Sequence, residues 1–187
     1  MKIEQTDFWW DDTSWATEIS LPDWADFQSR RGTYSARDSG HPADGRVELV
    51  FAPEARDEGP LSEGELFLVQ WYLDHHHAVH QALLDGLLAE YPQLQDRFRD
   101  ALGDEARTSM PDVAEVGGFE TLVGLSGVYV HQVEFGGLPY VGFELGCTWD
   151  AEHALGILMH GTRVVRIGAA DTAFLLWMAE QDAESRR

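Results

Sequence analysis

Residues 127–167 constrain the fold more than any other stretch, because they contain four apolar, strand-forming segments in succession with turn residues between them. Residues 127–135 alternate, with Val128 and Val130 on one face and Tyr129 and His131 on the other. Gly136-Gly137 follows, a pair suited to the positive φ angles of a two-residue hairpin turn. Residues 138–145 then pair back. After a polar loop at 147–153 come residues 155–159, the turn His160-Gly161-Thr162 and residues 163–167. This pattern predicts an antiparallel meander.

Two further strands are expected near the N-terminus. Residues 15–21 alternate Trp15, Thr17, Ile19 and Leu21, and residues 46–52 place Val47, Leu49 and Phe51 on one face. Between them, residues 29–45 are rich in Gly, Ser, Arg and Asp and are expected to form a flexible loop. Ser62-Glu63-Gly64-Glu65 is a capping box that opens a helix. Leu66, Val69, Leu73, Leu84, Leu87 and Tyr91 then recur at the helical period. Pro92 is expected to end this helix, and a second helix is expected from there to about Leu102. Asp171 is expected to cap a last helix with Phe174, Leu175 and Trp177 facing inward, before a frayed tail at 180–187. The expected fold is α+β, a single domain over residues 1–187. Its antiparallel sheet joins the C-terminal meander to the N-terminal strands, with one long and one or two shorter helices packed on one face.

Charge narrows the function. Thirteen basic residues face 33 acidic ones, for a net charge of -20. Nucleic acid needs a cationic footprint and is not an expected partner. Charge complementarity favours a basic protein partner instead, and the plain alternative is an acidic protein without one. The one cysteine, Cys147, provides neither a disulfide framework nor a cysteine zinc site. No apolar run approaches the ~18 residues of a membrane span. The N-terminus has no signal-peptide pattern, so a reducing cytoplasm is the expected compartment.

Three constellations carry possible chemistry. The loop contains Cys147, Trp149, Asp150, Glu152 and His153, with His160 beyond the next strand. Asp150, Glu152, His153 and His160 offer the oxygen and nitrogen donors that suit a divalent metal, with Glu152 as a general base in a metal-dependent enzyme. The competing reading is structural: Asp150 makes an Asx-type turn, anchored by Trp149 and Leu155. The histidines His75, His76, His77 and His80 lie on the long helix, where His77 and His80 project with the apolar stripe and His75 points away from it. His76 and His80, four apart, have a spacing that lets two imidazoles share a metal; the alternative is surface imidazoles and one buried histidine bonded to a carbonyl. Lastly, Trp9 and Trp10 beside Asp11 and Asp12 would anchor a basic partner if exposed. The alternative is an edge strand that buries one of the tryptophans. Cys147 reads as a small core residue, no G-x-S-x-G elbow appears, and no catalytic residue is assigned. No cofactor is expected beyond such a divalent metal.

Several blocks together resemble an uncharacterised bacterial domain-of-unknown-function family. They are Gly45-Arg46-Val47, Leu61-Ser62, Tyr91-Pro92, residues 140–144, and Cys147-x-Trp149-Asp150-x-Glu152-His153-x-Leu155-Gly156 followed by residues 167–174. The chain departs from that pattern at Ala154, where the resemblance implies glycine and a tight turn. Such domains are similar to those encoded near toxin and immunity genes. The resemblance implies an immunity-type protein that neutralises a basic toxin by binding it. The residues expected in that contact, from the two clusters themselves, are Trp149, Asp150, Glu152 and His153 with Trp9, Trp10, Asp11 and Asp12.

Overall fold

The computed structural model describes residues 2–30, 37 and 43–187. The loop expected at 29–45 falls largely outside the described residues. The alternating segments become the strands β1 (Trp9–Trp10), β2 (Trp15–Ser20), β3 (Arg46–Phe51), β4 (Val123–Phe135), β5 (Leu138–Cys147), β6 (Leu155–His160) and β7 (Arg163–Gly168). They form one sheet in chain order. Neighbours are antiparallel except β3 and β4, which run parallel. That exception follows from the connection between them, because parallel strands need a long crossover. The crossover is helix α1 (Glu63–Leu102), the short helix α2 (Ala106–Ser109) and a 3₁₀ segment at Val116–Thr121.

The capping box forms as its residues dictate: Ser62 Oγ accepts from Glu65 N, and the Glu65 carboxylate accepts from Ser62 N at 2.7 Å. The helix does not stop at Pro92, and one helix of 40 residues replaces the expected pair. The buried stripe explains this. Leu83, Leu84 and Leu87 precede the proline and Leu94 follows it, all buried on the same layer. Each buried aliphatic side chain contributes about 1.5–3 kcal/mol, which together exceeds the ~3 kcal/mol penalty of an interior proline.

Helices lie on both faces of the sheet, not one. On the α1 face, Leu49, Val128, Val130, Phe143 and Ile157 join the main core. On the opposite face, Tyr140 and Leu158 pack with Met178, Ala179 and Ala183 of α3 (Leu176–Ser185). β6 is buried at every position, and a strand that is apolar on both sides needs cover on both.

The C-terminal part differs from expectation in two ways. A 3₁₀ turn occupies Ala170–Ala173, and α3 begins only at Leu176, whose N–H donates to Glu54 Oε2 at 2.7 Å. Trp177 is 48% exposed rather than inward. α3 runs to Ser185, and the Arg186 guanidinium lies 5.6 Å from the Phe135 ring centroid and 3.1 Å from His160 Nδ1. Among the described residues, no helix is long and apolar enough to cross a membrane.

Candidate functional site

In the loop between β5 and β6, the turn is built around Asp150. Its Oδ1 accepts from both His153 N and His153 Nδ1, each at 3.0 Å, and its carbonyl accepts from Ala154 N at 3.1 Å. Ala154 has a φ of +56°, so the tight turn persists without glycine. Trp149 is 4% exposed and meets Tyr91 edge to face at 5.8 Å, which makes it a core anchor, not a contact surface. Glu152 is exposed. His160 lies at the far end of β6, roughly 16 Å along the strand from Leu155. Its Nε2 lies 2.9 Å from Phe135 O, a bond within the fold. The structure therefore brings Asp150 and His153 together, but not Glu152 or His160 with them. Cys147 is buried, and burial pushes its thiol up to about 11, far from the thiolate that a nucleophile requires.

The loop is welded to the segment after β7. Ala170 N donates to His153 O at 3.0 Å. A Cβ on Gly156 would lie 2.3 Å from Ala169 O, and one on Gly142 would lie 1.7 Å from Ala173 O. Bare glycine backbone is what lets residues 169–173 lie directly on the sheet. The two sequence blocks thus form one structural unit.

The histidine run is placed differently from its sequence reading. His77 is exposed, with 73% of its side-chain surface open, and does not join the apolar stripe. His80 is half-buried against Trp24 and Phe27, at 4.7 and 5.6 Å between ring centroids. His76 does not pair with His80. It turns with His77 toward Asp23, in the 3₁₀ turn Pro22–Trp24.

The N-terminal aromatic–acidic segment forms the edge strand β1 and the turn after it. Trp9 is 44% exposed, whereas Trp10 is half-buried and meets Trp15 edge to face at 5.6 Å. Asp11 Oδ1 accepts from Thr13 N and Ser14 N, closing the turn, and Asp12 takes a φ of +76°.

The strand register reveals a feature that the sequence alone hid. Glu18 on β2 lies directly opposite Glu48 on β3. Glu48 precedes Leu49, which sits beside Val128, and Gly127 lies opposite Glu144. Opposed residues share a face, so Glu18, Glu48 and Glu144 form a row across the face turned away from α1. These glutamates line a cleft of about 660 Å³ with Asp44, Arg30, Arg46, Ser29 and Ser126. Ser29 Oγ and Ser126 Oγ are buried without a hydrogen-bond partner. Glu144 Oε2 accepts from Tyr129 Oη at 2.7 Å, which together with burial raises the tyrosine above its ordinary range. Trp9 lies opposite Ala16, two residues from Glu18, and so belongs to the same face. The out-facing glutamates were visible singly as the polar halves of alternating strands. Their alignment depends on register, which a single sequence does not display.

The chain belongs to the family described as "Domain of unknown function (DUF6985)", whose model matches residues 18–175. The match takes in the acidic row, the 147–153 loop and the segment welded to it, and leaves out β1 and all of α3. Comparison with curated proteins and with solved structures finds no match.

Proposed function

We propose that this protein is an acidic binding module of the bacterial cytoplasm, an immunity-type protein that neutralises a basic toxin by direct contact. The observation that carries this reading is the opposition of Glu18 and Glu48. Like charges directly opposite on neighbouring strands cost stability, by roughly the 0.2–1 kcal/mol that cross-strand pairs are worth. Arg46, 3.6 Å from Glu18, offsets only part of that repulsion. A sequence that keeps such a conflict commonly does so at a functional site, where a partner resolves it. A lysine or arginine entering the cleft would meet Glu18, Glu48 and the two unpartnered hydroxyls. Trp9, exposed on the same face beside Asp11 and Asp12, supplies an aromatic anchor of the kind that dominates interfaces. The net charge of -20 would speed the encounter with a cationic protein.

In this reading the 147–153 loop shapes the fold and does not touch the partner. A metal centre on Asp150, Glu152, His153 and His160 draws no support from the geometry, because the four donors do not converge.

The test is to titrate the intact protein with the basic protein encoded by the neighbouring gene, at low and at moderate salt. Support would be a complex whose association rate falls with salt and which the double variant Glu18→Lys/Glu48→Lys weakens at least about tenfold. No complex, or one indifferent to both salt and charge reversal, would overturn the proposal.

A further inference from the structure

We propose that Asp23, His76 and His77 form a binding site for one divalent metal ion of the zinc type. This goes beyond the partner-binding reading and is independent of it. His76 Nδ1 lies 3.2 Å and His77 Nδ1 2.7 Å from the same oxygen, Asp23 Oδ2. Among the described residues this is the group whose three ligand atoms all fall within 4.8 Å of one another.

The convergence runs against helix geometry. Consecutive residues on a helix point about 100° apart and do not face each other. Here the two imidazole rings lie 4.3 Å apart between centroids, with 31° between their planes. Both side chains have turned toward a residue more than 50 positions earlier in the chain. The segment bearing Asp23 is held in place independently of any ion. Trp24 and Phe27, 3% and 8% exposed, pack against His80 one turn along the same helix. The three donors therefore sit on a helix and on a segment docked to it by apolar burial, a preorganised arrangement.

The donor set is two imidazole nitrogens and one carboxylate oxygen, which suits zinc and the late first-row divalent ions. Tetrahedral bonds of about 2.1 Å separate neighbouring ligand atoms by roughly 3.4 Å, somewhat wider than the 3.2 and 2.7 Å between Asp23 Oδ2 and the two imidazole nitrogens. Small side-chain rotations bring the donors onto an ion. His77 is exposed, so the remaining coordination position opens to solvent and is available to water or to a ligand from a partner.

The experiment is calorimetric titration of zinc chloride into the intact, tag-free protein, repeated with cobalt(II) to read its visible ligand-field bands. One equivalent is expected, with bands of tetrahedral cobalt, and zinc should raise the melting temperature. His77→Ala removes an exposed side chain, so it should melt like the parent without metal yet lose at least about tenfold in affinity. Asp23→Asn should do likewise, while His75→Ala and His153→Ala should bind as the parent does. Absence of binding up to about 1 mM zinc, or affinity unchanged in His77→Ala, would overturn the site.

Discussion

Tyr140 Oη donates to Asp182 Oδ2 at 2.6 Å, joining a fully buried residue of β5 to the last helix. Arg163 on β7 donates to the same carboxylate oxygen, so one side chain of α3 ties two strands. Burial works against the charged carboxylate. The bonds from Tyr140 and Arg163 and the charges of Arg163 and Arg186 outweigh it, and Asp182 is held below the ordinary carboxylate range. Asp182→Ala should cost about 2–3 kcal/mol, because it strands a buried hydroxyl and removes a charged acceptor, and Tyr140→Phe about 1–2 kcal/mol. Chemical denaturation at neutral pH measures both. The sign with pH is that of a depressed acid: this contribution is present above the unfolded pKa and lost as pH falls through the lower folded one. Asp182→Ala should therefore flatten the acid limb below about pH 4.

His131 predicts a separate acid sensitivity at higher pH. It is fully buried on β4, and its Nε2–H donates to Ala173 O at 2.9 Å. Burial, opposed by that bond and by the charge of Glu54, pushes it down to about 4. A histidine depressed in the fold is protonated first in the unfolded chain. Stability is thus complete above about pH 6.5 and declines toward pH 4, by about 3 kcal/mol from this residue. His131→Gln keeps a donor for Ala173 O and should remove that part of the decline in unfolding free energy measured across the range. His80, also depressed by burial, leaves a slope of the same sign.

Two glycines should respond very differently to the same methyl group. At Gly142 the added carbon would sit 1.7 Å from Ala173 O, on backbone that cannot move without lifting the whole 169–173 segment. Gly142→Ala should cost more than about 4 kcal/mol or abolish folding. At Gly136, in the β4–β5 hairpin, nothing lies within 4 Å and the only penalty is a φ of +61°. Gly136→Ala should cost about 1 kcal/mol. Melting temperatures of the two variants, with soluble yield for the first, separate contact from backbone conformation.

Features set by local chemistry were legible in the sequence. Ser62 and Glu65 announced the start of α1, Gly136-Gly137 the hairpin, and the alternation of β2 and β3 the period of a strand. Pro92 misled because tertiary burial on both sides of it outweighed a local rule. The second apolar face was written in residues 155–159, which are apolar or glycine without alternation, the mark of a strand covered on both sides. The candidate sites were the least legible part. Glu18 opposite Glu48 is a fact of register, and Asp23 beside His76 and His77 is a fact of docking. Neither is carried by any spacing along the chain.

The loop after β5 makes the last prediction, and it runs toward greater stability. Ala154 holds a left-handed conformation with a φ of +56° at the end of the turn that Asp150 closes. A Cβ in that region crowds the following carbonyl and costs roughly 1–2 kcal/mol, a penalty glycine does not carry. Glycine also raises the entropy of the unfolded chain, which offsets part of the gain. The bonds that hold the turn come from backbone atoms, Asp150 and His153, so none is lost with the methyl group. Ala154→Gly should therefore stabilise the protein by about 0.5–1 kcal/mol, read as a rise in the urea midpoint at constant slope. A lower midpoint would mean that the alanine methyl contributes packing worth more than the strain it imposes.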